Sequence, residues 1–442
     1  MRFKVIGCLL ALALPSGCGR GEPQPSVPDE RPDVALILID TLRQDHLDLY
    51  GYPKETAPFL TELAKRSAVF DRAYSTSSWT APATATVLTG LYPPRHGVVM
   101  GFNAYGKEQG GEAYEEDELS LTILPREVPT LGEMFAAGGY QTFAVSSNVN
   151  VSPERGFTRG FDRFERRRQG DAEELAEILV EWAGTRDPDK PAFWYLHLND
   201  VHKPYNPRRP YYKAAKGGLA DMQARYDSEI RYVDELLRRL WSDLGWDDST
   251  IVCVLSDHGE EFRDHGQLGH RFQLYGELLN VALLLRAPDF TEPGMRIDVP
   301  VSLIDVLPTL AELVGLKDPG IRDGASLIGL LDGGRLPDRA LFAHRGWPRS
   351  DRAIWAVIDD GHKLIFDDIN DTVEVYDTNN DPLDKGDLAP DNPELVSELM
   401  GELEAFRSIE ALETTRATIP VDESLDRHLR EMGYAGDDEE DG

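Results

Sequence analysis

Three short apolar runs in this chain end in groups that can hold a cation. Asp40 follows Val34 to Ile39 (VALILI), Asp200 and His202 follow Phe193 to Leu198 (FWYLHL), and Asp257 with His258 follows Ile251 to Leu255 (IVCVL). A single aspartate after a strand most often caps the next helix. Three such endings together supply what a metal site needs, carboxylate and imidazole ligands converging from separate elements. A further stretch, Ser75 to Val98 (STSSWTAPATATVLTGLYPPRHGV), reads as a helix capped near Thr80 with Pro82 in its first turn. A side-chain oxygen there sits at the positive end of the helix dipole, where an anionic ester is favoured.

The elements that must position these groups are strands buried on both faces, since the runs are continuous rather than alternating. Between the last two lies Tyr226 to Leu240, with apolar residues at helical spacing. Strand-length runs alternating with helical stretches predict an α/β fold with a large mixed, mainly parallel sheet sandwiched by helices. In such sheets ligands bind at the carboxyl ends of the strands, where all three endings fall.

At 442 residues the chain is long enough for roughly two or three domains of about 150 residues each. Asp and Glu number 78 against 46 Lys and Arg, a formal charge of −32, which excludes nucleic acid and other extended polyanions as partners. One small anion held at a local site remains compatible with that charge. Acid is densest in Asp359 to Asp387 and in Val421 to Gly442, away from the endings above. The N-terminus carries Arg2 and Lys4, then Val5 to Leu14 (VIGCLLALAL), then Pro15-Ser16-Gly17-Cys18. The apolar run is too short to span a bilayer and reads as an export signal. Cys253 alone remains in the body, so no disulfide framework is expected.

The helix segment also carries a family resemblance. Thr80-Ala81-Pro82-Ala83-Thr84 followed by Leu88-Thr89-Gly90 resembles the signature of the sulfatase family of the alkaline phosphatase superfamily, in its proline and its Leu-Thr-Gly. Further segments resemble the family in order: Val34 to Tyr52, Pro58 to Ala64, His197 to Tyr205 (HLNDVHKPY), Ser256 to Glu260 (SDHGE), Val301 to Leu310, and Tyr376-Asp377 through Asp381-Pro382. The resemblance implies an alkaline-phosphatase-like α/β domain over residues 33–315. A smaller C-terminal α+β domain with an antiparallel sheet and a closing helix follows over 316–410. Residues 1–18 resemble a lipoprotein-type signal peptide with Cys18 as the lipidated residue; 19–32 form a Pro-rich tether and 411–442 an acidic tail. This implies an exported, periplasmic protein whose membrane contact is the lipid anchor alone.

The resemblance assigns roles to residues. Asp40, Thr80, Asp257 and His258 are expected to hold one divalent metal ion, with Mn or Zn ahead of Ca because of the imidazole. Thr80, His202 and His270 are the expected catalytic residues, with Thr80 as nucleophile. His265, Asn148 and Lys203 are expected at the substrate, unless His265 is a structural histidine and Lys203 a solvated surface residue. Two departures shape the chemistry. Thr80 stands where the family has the Cys or Ser that becomes formylglycine, so no formylglycine is expected. Thr84 stands where the family has an arginine. A threonine hydroxyl activated by a metal suits phosphodiester or phosphoryl chemistry better than the formylglycine route to sulfate esters. The substrate is then a small or polymeric sulfate or phosphate ester. The alternatives are a sulfuric ester hydrolase working by an atypical route and a catalytically inactive sulfatase-like binding lipoprotein.

Overall fold

The structure is a computed structural model that describes residues 31–99, 120–167, 170, 172–246, 248–270, 272–317, 320–346, 352–409 and 418–420. The expected signal, Cys18, and nearly all of the expected tether and acidic tail lie outside these residues. No helix among the described residues is long and apolar enough to cross a membrane.

Eight strands build the main sheet: β1 (Val34–Ile39), β2 (Ala68–Phe70), β3 (Gln141–Ser146), β4 (Arg163–Arg166), β5 (Ala192–Leu198), β6 (Ile251–Leu255), β7 (Leu283–Arg286) and β8 (Arg296–Ile297). Their spatial order is β8-β2-β7-β6-β1-β5-β3-β4. The run from β6 to β4 is parallel, whereas β7 is antiparallel to both its neighbours. β1 is central and all six of its residues are buried, as its unbroken apolar sequence predicts.

The faces of the sheet separate by residue parity. Val34, Leu36 and Leu38 join one core with helices α2 (Thr80–Thr89), α3 (Leu131–Ala137) and α6 (Val306–Leu313). Ala35, Ile37 and Ile39 join the other with α1 (Pro58–Ala64), α4 (Ala172–Thr185) and α5 (Gly218–Asp243). The result is helix, sheet, helix. Asp234 of α5 accepts from the backbone N–H of Phe59 and Leu60, both at 2.9 Å, and so anchors the first turn of α1.

A smaller C-terminal unit follows. Strands β9 (Leu341–Gly346), β10 (Ala353–Asp359), β11 (His362–Asp367) and β12 (Thr372–Asp377) form an antiparallel sheet. One face packs on helix α7 (Pro393–Arg407) through Trp355, Val357 and Leu364 against Leu399, Leu403 and Phe406. The other face meets Leu274 and Leu279 of the large unit through Ala343, Ile354 and Ala356. Beneath that contact, Lys363 pairs with Asp384 and donates to the Leu274 carbonyl at 3.2 Å; both side chains are 1% exposed. Both charges lie in the smaller unit, the Lys363 bond to the Leu274 carbonyl ties the pair to the large one, and removing one charge strands the other. Lys363→Ala is expected to cost about 3–5 kcal/mol in urea unfolding, with most of the loss recovered in the Lys363→Met/Asp384→Asn double variant. A loss below about 1 kcal/mol would show that the pair contributes little to the junction.

Candidate active site

Strand register assembles the site. Leu38 lies opposite His197 of β5 and Leu255 of β6, so these three side chains leave the sheet on the same face. Asp40 and Asp257 each stand two residues beyond Leu38 and Leu255 and keep that parity, facing the side that α2 covers. The Asp40 N–H donates to the Leu198 carbonyl at 2.9 Å, which continues the ladder one step past the strand. Asp40 therefore caps no helix. Thr41 next to it has φ of 56°, an unfavourable region for a β-branched residue, and its N–H lies 3.3 Å from Asp257 Oδ1.

Helix α2 begins at Thr80, with Trp79 as its N-cap and no side-chain cap. The sequence places the cap near Thr80, one residue late, and the shift releases the hydroxyl for other partners. Thr80 Oγ1 lies 3.2 Å from His258 Nε2 and 3.4 Å from Asp40 Oδ2. All ten residues of α2 are buried, and its C-terminal end turns at Gly90 with φ of 69°.

Asp40, Asp257 and His258 are each wholly buried. Asp40 Oδ2 accepts from Asn148 Nδ2 at 2.6 Å and lies 3.1 Å from His197 Nε2. Asp257 Oδ1 accepts from the His258 N–H at 2.9 Å. The remaining oxygens, Asp40 Oδ1 and Asp257 Oδ2, have no hydrogen-bond partner among the described residues. His258 Nε2 stands 3.8 Å from the first and 3.5 Å from the second. His258 Nδ1 lies 2.8 Å from the Gly259 carbonyl, to which it can only donate, so Nε2 presents a lone pair.

Titration follows the same geometry. Burial and the nearby Asp40 charge push the Asp257 carboxyl well above its ordinary range. Burial also opposes ionisation of Asp40, but the hydrogen bond and charge of His197 outweigh it and hold that carboxyl low. Burial, reinforced by His270, pulls His258 down to about 3, so the imidazole is neutral and competent to bind a cation. Two buried carboxylate oxygens with nothing to accept from, faced by an imidazole lone pair, fit a divalent cation. Asp40, His197 and Asp257 each bring one ligand atom within 4.8 Å of the others.

The expected site residues divide into three groups. Asp40, Thr80, Asp257 and His258 converge. His202 and His270 stand beside them, with ring centroids 5.0 Å apart and the His270 ring 4.6 Å from that of His258. His270 Nδ1 is 2.9 Å from the buried Glu260 Oε1, and the other Glu260 oxygen accepts from the Tyr205 hydroxyl at 2.8 Å. Asn148 is committed to Asp40 and to Asn199 Oδ1, 3.0 Å from its Nδ2, while its own carbonyl oxygen accepts from the Asn150 N–H at 2.8 Å. The structure thus makes it a positioning group for Asp40. Lys203 is exposed, its carbonyl 2.6 Å from His202 Nδ1. His265 lies 2.7 Å from Glu277 Oε1 and 2.8 Å from the Asp384 carbonyl through its two ring nitrogens, and it stacks on Tyr275 at 3.7 Å. Nδ1 is held within the large unit by Glu277 and Nε2 reaches across to the smaller one, so both nitrogens are engaged away from Asp40 and Thr80.

Sequence reasoning passed over His197 and Glu260. His197 Nδ1 lies 3.1 Å from the Tyr195 hydroxyl, which can donate or accept. Both tautomers are therefore satisfied, and Nε2 can donate to Asp40 or bind a cation beside it. The available signal was a histidine inside a buried strand, in the row of Phe193 and Tyr195.

A family profile described as "Sulfatase" matches residues 32–316, and one described as "N-sulphoglucosamine sulphohydrolase, C-terminal" matches 263–408. The chain belongs to the sulfatase family. It is 27% identical to arylsulfatase A of Homo sapiens over 418 residues, 81% of this chain and 77% of the relative. It is 24% identical to N-acetylgalactosamine-6-sulfatase of Canis lupus familiaris over 389 residues, 76% and 72% of the two chains. The crystal structure of the phosphonate monoester hydrolase of Agrobacterium radiobacter has the same fold. The TM-score is 0.69 at 20% identity, covering 86% of this chain and 95% of that one. This sulfatase-family chain keeps its metal-competent centre in place through neutral partners such as Asn148. Outer partners of this kind typically govern metal affinity by about 10–100-fold. Asn148→Ala is expected to weaken Mn binding by that factor in competition with a chelating dye, with the far-ultraviolet circular dichroism unchanged. Unchanged affinity would remove Asn148 from the site.

Proposed function

We propose that this sulfatase-family enzyme cleaves or transfers a sulfate or phosphate ester, phosphoryl substrates ahead of sulfuryl ones, by direct attack of Thr80 Oγ1. The observation that carries this reading is the place of that hydroxyl. It sits on the first residue of a ten-residue helix, 3.2 Å from His258 Nε2 and 3.4 Å from Asp40 Oδ2. Asp40, Asp257, His258 and Thr80, with His197 beside them, would hold a divalent cation, which would supply positive charge to a hydroxyl and an ester oxygen. The mixed oxygen and nitrogen donors favour Mn or Zn over Ca. The relatives named for sulfate esters support the broader class of substrate, and the threonine supports the narrower one.

The chain's own groups then divide the work. Asp40 Oδ2 is the acceptor placed to take the Thr80 proton as the oxygen attacks the ester centre, the His258 Nε2 lone pair being turned to the cation. The N-terminus of α2 presents its positive end to the charge that develops there. Burial pulls the titration of His270 down, but the charge and hydrogen bond of Glu260 push harder and raise it overall. His270 is thus the proton donor to the departing alcohol. His202 is lowered by burial and by His270, and its Nδ1 donates to the Lys203 carbonyl, so its Nε2 can donate to an ester oxygen only when the ring is protonated. Water, or an acceptor alcohol, then attacks the Thr80 ester and restores the hydroxyl. Export through the N-terminal signal, with anchoring at Cys18, is part of the same proposal and rests on sequence.

The test is intact mass of the Mn-loaded protein after brief exposure to an aryl phosphodiester, beside an aryl phosphate and an aryl sulfate. A phosphoryl adduct mapping to Thr80 is expected, together with a loss of about 1,000-fold or more in kcat/KM for Thr80→Ala. Equal turnover by Thr80→Ala would overturn the nucleophile, and metal binding without any turnover would favour the binding-protein reading. Removal of the Glu260 charge lowers the titration point of His270. Glu260→Gln is therefore expected to move the alkaline limb of the pH–rate profile to lower pH, and an unmoved limb would place the acid elsewhere.

A further inference from the structure

The turn after Asp40 is strained and is held from the far side of the sheet. Thr41 is wholly buried, and its φ of 56° is one that a β-branched side chain disfavours. In that conformation its N–H lies 3.3 Å from Asp257 Oδ1, which also accepts from the His258 N–H at 2.9 Å. Two amides on Oδ1 leave Oδ2 as the oxygen without a partner among the described residues. The following amide, the Leu42 N–H, donates to Ser256 Oγ at 3.0 Å, and that hydroxyl donates to the His258 carbonyl at 2.6 Å. Tyr226 reaches the same turn from α5, on the face of the sheet opposite α2. Its buried hydroxyl donates to the Thr41 carbonyl at 2.7 Å and accepts from the Arg43 N–H at 2.8 Å.

We propose that Tyr226 is a positioning residue of the metal centre: its hydroxyl holds Thr41 in the left-handed region and so fixes which Asp257 oxygen faces the cation. This rests on the reading of Asp40, Asp257 and His258 as a cation site. One hydroxyl closes the turn because it serves an acceptor and a donor two residues apart. Without it, both buried backbone groups lose a partner, and the preference of threonine for negative φ acts against the turn. With Leu42 tied to Ser256, a rotation at Thr41 has to be taken up in the peptide that joins it to Asp40, and that peptide carries the N–H on Asp257. Glycine adopts positive φ readily, so a glycine at position 41 would need no such hold. The Tyr226 ring also stands edge-on to Tyr205, with centroids 5.7 Å apart, and the Tyr205 hydroxyl donates to the Glu260 carboxylate beside His270. The same side chain therefore backs both halves of the site.

The test is Mn affinity of the full chain, by competition with a chelating dye, through a double-mutant cycle of Tyr226→Phe and Thr41→Gly. Phenylalanine keeps the ring and its packing, and glycine removes the conformational demand without touching Tyr226. Tyr226→Phe is expected to weaken Mn by about 10–100-fold, the usual effect of losing an outer partner of a metal site. In the Thr41→Gly background the same change is expected to cost less than about threefold. An equal loss in both backgrounds overturns the proposal, since the hydroxyl would then act by a route other than Thr41. Parent-like Mn affinity in Tyr226→Phe, with only a lower thermal midpoint of the chelated protein, is what a merely structural hydroxyl gives, and it also overturns the proposal. If Tyr226→Phe does not fold alone, the double variant decides: binding more than about threefold weaker than Thr41→Gly overturns the proposal. A parent that binds no Mn overturns this proposal and the cation-site reading together, whereas the other contrary outcomes leave the cation site standing.

Discussion

The structure depends on two buried carboxylates that two adjacent parallel strands bring together. Asp40 and Asp257 stand two residues beyond paired positions of β1 and β6, and each leaves one oxygen without a hydrogen-bond partner. Buried anions in this state are costly unless a cation, a proton or a donor completes them. Left alone, the pair resolves the conflict with a proton, which is why Asp257 is pushed up while His197 holds Asp40 down. A bound divalent cation would satisfy both oxygens at once. The Thr80 hydroxyl and the neutral His258 lie against the same pair, and the Asn148 amide holds Asp40 from behind.

Around this centre the charges are graded. The protein as a whole is strongly acidic, yet the rings of His202, His270 and His258 gather beside the two carboxylates. His270 carries a raised titration because Glu260 is buried behind it, in contact with Tyr205. The raised His270 thus stands between the Glu260 carboxylate and a neutral His258, inside an anionic protein whose surface repels a long polyanion.

Most of the fold and part of the site were legible in the sequence because they rest on local rules. VALILI, FWYLHL and IVCVL read as buried strands because apolar runs without alternation have few other solutions, and their polar endings follow directly. Asp40, Asp257 and His258 were legible for that reason. His197 was not, because it lies inside its strand and its role depends on the pairing of His197 with Leu38, a fact of register. His265 needed the Asp384 carbonyl, which is distant in sequence and belongs to a loop of the smaller unit. The start of α2 was misread by one residue, since a threonine before a helix looks like a cap until its hydroxyl is found facing Asp40 and His258.

The most direct measurement of the central claim is thermal unfolding of chelator-treated protein as Mn is added, with the metal counted in the same samples. One equivalent of Mn should bind and raise stability, by about 2.7 kcal/mol when free metal exceeds the dissociation constant a hundredfold. The Asp40→Asn/Asp257→Asn double variant should bind none and unfold at a temperature indifferent to Mn. Chelated parent protein that melts identically with and without Mn, and retains no stoichiometric metal, would contradict the account.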